Sequence, residues 1–400
     1  MTETSSRPAP SPLRLVVSAG LTVGLVIMGD SLLYNLLPLE APRLGISLPL
    51  VGVLLSANRI VRLLSNAWMS AVFERFGPRL PFIGAAVLGL LTTATYGARW
   101  GFAAFLAARL GWGVAWSALR QGGYQAVWAN GNDIKGRHMG LLWGIVRMGS
   151  AVSVVAGGFL RDRFGYNAAV WAVVCAGALG IPVALSIRWP AAQQPARAPS
   201  GAVLPALAEA FRDRRRRLIL AAGLADSLFE GVIVSTASLF IAGALGGEDT
   251  GLGIGLGLGA LGGMLLAVRW TSDLIFGPAF GALSDRLGQA RTAAVLVCAL
   301  LAAASGTAAT RGIAAALCLA LVFVIGAGLN IVLGTLANGL AVRAERPHLF
   351  VGVYTTATDA GLALGPLVAY APGAVSRLPL LYVAIVSLIA VAVIAFWRAK

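Results

Sequence analysis

Long apolar runs dominate this chain and limit what it can fold into. Hydrophobic residues make up 58% of its 400 residues and charged residues only 12%, whereas soluble domains are about half apolar and a quarter charged. The excess apolar surface is therefore expected to face lipid. Because a membrane-spanning helix takes about 20 mostly apolar residues, we predict twelve spans, at 15–38, 48–72, 80–98, 101–127, 138–160, 167–188, 218–245, 256–283, 292–310, 312–340, 349–371 and 379–397.

The polar stretches divide the chain into two halves of six spans each. Residues 1–14 are polar and rich in Pro and Ser, which is typical of a disordered tail. Residues 189–217 contain four prolines and end in a run of arginines, which is typical of a linker. We therefore predict an all-α membrane protein with six-helix bundles at 15–188 and 218–400.

The net charge of +15 would suggest a nucleic-acid partner in a soluble protein. Here most of the 31 Lys and Arg fall in loops that alternate spans place on one side, which is the positive-inside pattern. We therefore predict both termini in the cytoplasm, a bacterial-type inner membrane, a monomer in the lipid bilayer, and no nucleic-acid partner. The three cysteines lie in apolar runs without CxxC spacing, so neither a metal site nor a cofactor is expected.

Internal repeats relate the two halves. The sequence DSLLY at 30–34 recurs as DSLFE at 226–230, in the first and seventh spans. After the second and eighth spans, ERFG at 74–77 recurs as DRLG at 285–288. Duplicated six-helix halves are typical of secondary transporters, whose sites lie between the halves at the middle of the membrane.

The loop after the eighth span carries a recognisable motif. Gly281, Asp285, Arg286, Gly288 and Arg291 follow the pattern Gly-x-x-x-Asp-Arg-x-Gly, with a basic residue after it. The chain thereby resembles the major facilitator superfamily over essentially its whole length. The resemblance implies twelve helices that alternate access around a central cavity. It also implies a cytoplasmic gate at Glu74, Arg75, Asp285 and Arg286, where a carboxylate at a helix end pairs with a neighbouring arginine or caps an adjacent helix.

A second resemblance concerns proton coupling. Arg109, four residues before Gly113, resembles the fourth-helix arginine that this family often ties to proton movement. Asp30 in the first span is the expected partner of Arg109. The end of the fifth span, at 157–165, resembles the family's antiporter signature, although Ser153 and Val154 stand where that signature has Gly-Pro.

Ionisable residues inside the predicted spans are the main candidates for function. Each costs about 2.5–3.5 kcal/mol at the centre of a membrane helix on insertion scales. Such residues are therefore expected to pair with one another or to line a wet cavity, and their default interpretation is functional. They are Asp30, Arg59, Arg62, Arg109, Arg120, Arg147, Asp226, Glu230, Arg269, Asp273 and Asp359.

These charges are distributed unequally between the halves. Superposing the repeats puts Arg62 at the position of Asp273, and Arg147 at that of Asp359. Arg269 and Asp273, four residues apart, can also pair within one helix. We predict a cavity with a cationic wall from the first half and an anionic wall from the second, joined by salt bridges that protonation of an acid would release. The predicted lining residues are Arg59, Arg62, Arg120, Arg147, Asp226, Glu230, Asp273, Asp359 and Asn330.

Several functions fit this pattern. The first is proton-coupled transport of an anionic, zwitterionic or amphiphilic organic solute, with export favoured. The second is uptake or exchange of an organic anion without protons. An enzyme is disfavoured because the sequence lacks GxSxG, HExxH and phosphate-loop motifs. A sensor would need a signalling domain.

Aromatic residues either line the cavity or pack at the membrane interface; they are Trp112, Trp116, Tyr124, Trp128, Trp143 and Tyr354.

Overall fold

The computed structural model describes residues 11–129, 135–190, 211, 213–246, 256–342 and 347–399. Its α-helices, in chain order, are α1 Pro12–Val26, α2 Met28–Glu40, α3 Leu48–Phe76, α4 Arg79–Ala98, α5 Phe102–Trp128, α6 Lys135–Phe164, α7 Tyr166–Ala178, α8 Gly180–Ser186, α9 Arg214–Leu245, α10 Leu258–Leu287, α11 Gln289–Ala309, α12 Gly312–Ala341, α13 Pro347–Ala369 and α14 Leu378–Arg398. Helices α1 and α2 together form one span, and so do α7 and α8.

Two helices begin inside segments that the sequence predicted to be a tail and a linker. Helix α1 begins at Pro12, inside the predicted tail, because Ser11 caps it by accepting a hydrogen bond from the backbone N–H of Arg14. Helix α9 begins at Arg214, inside the predicted linker, because Asp213 caps it in the same way. The arginine run therefore belongs to a helix, whereas 1–10 and 191–210 of the predicted tail and linker lie outside the described residues.

Some connections between helices are a single residue long. Gly165, with φ of +85°, joins α6 to α7, and Gly288, with φ of +83°, joins α10 to α11. Only glycine adopts this left-handed region without strain. Both glycines let the chain reverse at once, so that successive helices pack antiparallel.

Eleven stretches of the described residues are long and apolar enough to cross a membrane. The protein is therefore a multi-pass membrane protein. The predicted span at 349–371 forms α13, which is 23 residues long but does not belong to this set. It is more polar because it carries Thr355, Thr356, Thr358 and Asp359. The count of twelve spans thus stays a prediction.

Helices of the two halves pack together at one end of the bundle. At this end, called the closed end below, α2, α6 and α9 finish and α3 and α10 begin. The pairs in contact across the halves include α3 with α13, α6 with α10, α2 with α9, and α2 with α10. One buried core runs through residues of both halves, from Leu36 and Leu54 to Ile233 and Leu266. The halves are thus sealed to each other at the closed end.

At the opposite end, the open end, the halves stand apart. Helices α6 and α13 begin here, and α3, α5 and α10 finish. A Cβ added at Gly140 of α6 or at Gly352 of α13 would meet no atom within 4 Å. Thr355 and Thr356, on the next turn of α13, are exposed. The described helices therefore leave a cleft that is open at this end and sealed at the other.

Glycine is required where α6 crosses α10 near the closed end. A Cβ on Gly158 would lie 2.1 Å from the carbonyl oxygen of Gly259. We expect Gly158→Ala to lower the free energy of unfolding by about 1–3 kcal/mol, because the helices must move apart. Thermal unfolding of the purified protein measures this. Gly140→Ala in the same helix is the matched control, since it gains the same helix propensity in open space. Equal melting temperatures for the two variants would contradict the close approach.

Candidate functional site

A buried ion pair connects the first span to α5. The Nη1 of Arg109 donates to Oδ1 of Asp30. Arg109 is 0% exposed, and its Nε also donates to the carbonyl oxygen of Leu54, at 2.9 Å. Asn58 donates a second hydrogen bond to Asp30, at 3.3 Å. The structure therefore brings together the two residues that the sequence paired for proton coupling.

Tyr34 links this ion pair to the contact between the halves. The guanidinium of Arg109 lies 5.7 Å from the centre of the Tyr34 ring, and that of Arg59 lies 5.2 Å from it. The Nε of Arg59 donates to the Tyr34 hydroxyl oxygen at 3.0 Å, and its Nη1 donates to the carbonyl oxygen of Leu362 in α13, at 2.9 Å. Arg59 thus reaches from the first half to the second.

A charge network lies on the second-half side of the cleft. Arg269 is 4% exposed and pairs with Glu230 at 2.6 Å and with Asp273 at 3.2 Å. The second contact is the in-helix pair that the four-residue spacing predicted. Arg147 of α6 pairs with Asp273 at 3.4 Å and lies over the ring of Trp270. The network therefore contains one ion pair that joins the two halves.

Asp226 has a different environment. It is 4% exposed and accepts a hydrogen bond from Nδ2 of Asn330 at 3.0 Å. No ion pair to Asp226 is present among the described residues. Beside it lies a cavity of about 10 Å³, lined by Glu230, Arg269 and Phe323 among others, which is room for one water molecule. Asp226 thus corresponds in the second half to Asp30 in the first. Its partner is the amide of Asn330, whereas the partner of Asp30 is Arg109.

Three predicted lining residues are left without an ion pair in the described part of the chain. Arg62 donates only from Nε, to the carbonyl oxygen of Asn58 at 3.2 Å. Arg120 and Asp359 make no hydrogen bond or ion pair with the described residues. All three are partly exposed, and Asp359 is close enough to Arg62 to interact electrostatically. They face the part of the cleft that is open.

The predicted gate residues lie at the open end. Glu74, Arg75, Asp285 and Arg286 are all exposed. Arg75 lies over the ring of its neighbour Phe76, at 5.3 Å. Within the described ranges, the structure brings none of these four residues into an ion pair. Because this end of the bundle is open, the latch stays a prediction for a conformation in which it is closed.

The sequence did not predict the polar contacts of the closed end. Glu40 is 3% exposed and pairs with Arg161 at 2.6 Å. Asp162 accepts the backbone N–H groups of Gly259, at 3.0 Å, and Ala260, at 2.7 Å. These are first-turn N–H groups of α10, which have no partner within their own helix.

Asn35 adds a further contact to the closed end. It is fully buried, and its Nδ2 donates to the carbonyl oxygens of Val154, at 3.2 Å, and Gly259, at 2.9 Å. Ser238 donates to Oδ1 of Asn35 at 2.7 Å. One side chain of the first span therefore contacts α6, α9 and α10 together.

Comparison with known proteins identifies the family. The profile of the Major Facilitator Superfamily matches residues 19–366. This chain is a major facilitator superfamily protein. No curated protein sequence matches it. Proteins of this superfamily are transporters rather than enzymes, so the chain is a membrane-embedded transporter of a small molecule.

Solved structures share the fold at low sequence identity. The nucleoside transporter NupG aligns with a TM-score of 0.78 and 13% identity, covering 97% of this chain and 100% of that one. A bacterial homologue of the human lysosomal transporter Spinster, inward-facing and unoccupied, aligns with a TM-score of 0.75 and 14% identity, covering 98% of this chain and 99% of that one. The E. coli fucose:proton symporter FucP aligns with a TM-score of 0.61 and 14% identity, covering 97% of this chain and 98% of that one. The chain therefore has the superfamily fold over nearly its whole length.

Proposed function

We propose that this superfamily member is a proton-coupled secondary transporter that exports a small anionic, zwitterionic or amphiphilic organic solute. The observation that carries the proposal is the buried ion pair of Asp30 and Arg109. An acid and a base inside a membrane span mark proton and substrate pathways in transporters. The fold shared with a fucose:proton symporter supports coupling to protons.

The orientation follows from the distribution of basic residues. With cytoplasmic termini, the open end faces the cytoplasm and the closed end faces outwards. Helix α13 completes twelve spans in two bundles, 15–188 and 218–400, because it packs between α3 and α9. A monomer in a bacterial-type inner membrane is the proposed form. The fold shared with an inward-facing structure supports this conformation.

The proposed coupling uses two acids in equivalent places. A proton on Asp30 removes the charge that holds Arg109, whereas a proton on Asp226 breaks no ion pair among the described residues. Either event changes the charge of the cleft. Arg147 and Asp273, which join the halves, separate when the closed end opens. The pairs Glu74 with Arg75 and Asp285 with Arg286 then act as the cytoplasmic latch.

Uptake or exchange of an organic anion without protons is the second candidate. Arg62 and Arg120 favour it, because both carry a charge in the cleft that no described carboxylate neutralises in an ion pair. A carboxylate on a substrate could bind either arginine through two parallel hydrogen bonds. This candidate shares the site with the first and differs in the direction of transport and in what drives it.

The deciding measurement is flux in proteoliposomes with a pH-sensitive dye inside. Organic acids, nucleosides and sugars are added in turn, with and without an imposed pH gradient. We expect at least one organic acid to move protons opposite to its own direction, and a protonophore to abolish its accumulation. Solute movement that is identical with and without the gradient would favour the uncoupled candidate. Empty liposomes are the control.

A further inference from the structure

Helix α5 carries an unusual row of side chains. Every fourth residue from Trp112 to Trp128 is aromatic or cationic, namely Trp112, Trp116, Arg120, Tyr124 and Trp128. Residues four apart lie above one another on a helix, so Arg120 has an aromatic side chain on the turn before it and on the turn after it. The row runs from the buried Trp112 to Trp128, which is 48% exposed. It leads from the core of the first half towards the open end.

Trp143 of α6 completes an aromatic wall. Its ring centre lies 6.1 Å from that of Trp116 and 5.9 Å from that of Tyr124. Both separations lie within the range of about 4.5–7 Å at which aromatic rings stabilise one another. Trp143 therefore connects the two rings that flank Arg120. These rings hold one another in place before any ligand arrives.

Arg120 of this row and Arg62 of α3 differ from the other arginines of the spans. Arg59, Arg109, Arg147 and Arg269 all contact a carboxylate or a carbonyl oxygen of another helix. Arg120, by contrast, makes no hydrogen bond, ion pair or ring stacking with any described residue. Arg62, as described above, uses only its Nε. Polar groups inside a membrane protein are normally paired, so two guanidinium groups are left to bind something else.

One acid of the other half lies near Arg62 and near Tyr124. Asp359 of α13 is close enough to interact electrostatically with Arg62 and with Tyr124, and Arg120 likewise interacts with Tyr124. Two cations and one acid leave the group with a net positive charge. An aromatic cage for an ammonium ligand is disfavoured for this reason, although its rings would suit one. The charge favours an anion.

We infer that the aromatic wall and Arg120 bind a planar aromatic anion, such as an aryl carboxylate. The ring of the ligand lies against Trp143 and Tyr124, and its carboxylate accepts hydrogen bonds from Arg120, while Arg62 adds positive charge to the same cleft. This inference rests on the proposed function, since it names the class of substrate for the same cleft. A carboxylate matches the fork of donors on a guanidinium group.

Three related probes test the inference by calorimetry on the purified full-length protein. They are 2-naphthoate, its saturated counterpart decahydronaphthalene-2-carboxylate, and its neutral counterpart 2-naphthamide. We expect 2-naphthoate to bind best and 2-naphthamide to bind about tenfold more weakly or worse, because it lacks the charge. The saturated acid is expected to bind about three- to tenfold more weakly, because it cannot stack. Equal affinity for 2-naphthoate and the saturated acid would overturn the aromatic part of the inference.

Variants assign the binding to the named residues. Arg120→Gln is expected to weaken 2-naphthoate binding about tenfold or more, and Trp143→Leu about three- to tenfold. The matched controls are Arg311→Gln and Trp100→Leu, whose side chains are exposed away from the cleft, and both should bind as the wild type does. Arg120→Lys keeps the charge and should lose less affinity than Arg120→Gln. Unchanged binding in both Arg120 variants would overturn the inference.

The binding assay separates this inference from the proposed function. Binding of 2-naphthoate without any flux in proteoliposomes would leave the inference standing and remove the proposed function. Proton-linked flux of other solutes by a protein that does not bind 2-naphthoate would overturn the inference and support the proposed function. Thermal unfolding of each variant shows whether a loss of binding is a loss of fold; a variant that melts with the wild type and fails to bind supports the inference.

Discussion

Arg109→Gln is expected to abolish transport and to destabilise the protein by about 3–5 kcal/mol, because it leaves the carboxylate of Asp30 buried without its cation. Arg109 is fully buried, and it also ties α5 to the backbone of α3 at Leu54. Thermal unfolding and proteoliposome flux measure the two effects. Arg311→Gln at the exposed start of α12 is the control, and it should change neither.

A double variant distinguishes a structural role of this pair from a functional one. In Asp30→Asn/Arg109→Gln, both charges are absent, so no buried charge lacks a partner and most of the lost stability should return. Proton-driven transport should nevertheless stay at background, because the titratable acid is missing. If the double variant regained coupled transport together with stability, Asp30 would not be a proton carrier.

Arg269→Gln is expected to have the second-largest effect. Arg269 lies between Glu230 and Asp273, so its loss leaves two carboxylates that face each other without the shared cation. We expect a loss of about 3–5 kcal/mol of stability, measured by thermal unfolding. Among the described residues, Arg147 pairs only with Asp273, at 3.4 Å, and 32% of its side chain is exposed. Arg147→Gln should therefore cost far less.

The comparison of the two arginines also tests their roles. Arg147→Gln should remain folded yet change the transport rate, since this ion pair joins the halves. Glu230→Gln/Arg269→Gln should be more stable than Arg269→Gln alone, because it removes one of the two carboxylates. Equal destabilisation by Arg147→Gln and Arg269→Gln would contradict the network as described.

Spacing along the sequence predicted a contact that lies within one helix. Hydropathy located the helices because each must satisfy its own backbone in lipid. The pair of Arg269 and Asp273 followed from its spacing of four. The partnership of Asp30 with Arg109 came from the family resemblance, and the structure joins these residues as an ion pair.

Contacts between helices far apart in sequence could not be predicted in this way. Superposing the repeats placed Arg147 at the position of Asp359 and left its partner open. Arg147 pairs with Asp273, because the crossing of α6 and α10 decides which side chains meet. Glu40 lies beyond the predicted span at 15–38, whereas α2 continues through Pro38 to Glu40. Its partner Arg161 lies 121 residues later, and nothing local in the sequence indicates the pairing.

The position of Tyr34 has a thermodynamic consequence. One ring contacts both Arg109, the partner of Asp30, and Arg59, whose Nη1 holds α13 of the other half. Protonation of Asp30 and docking of the halves thus share a physical connection through a single side chain. If the two equilibria are coupled, the coupling free energy acts equally in both directions. If a proton on Asp30 favours separation of the halves by some factor, then separation of the halves raises the affinity of Asp30 for the proton by the same factor.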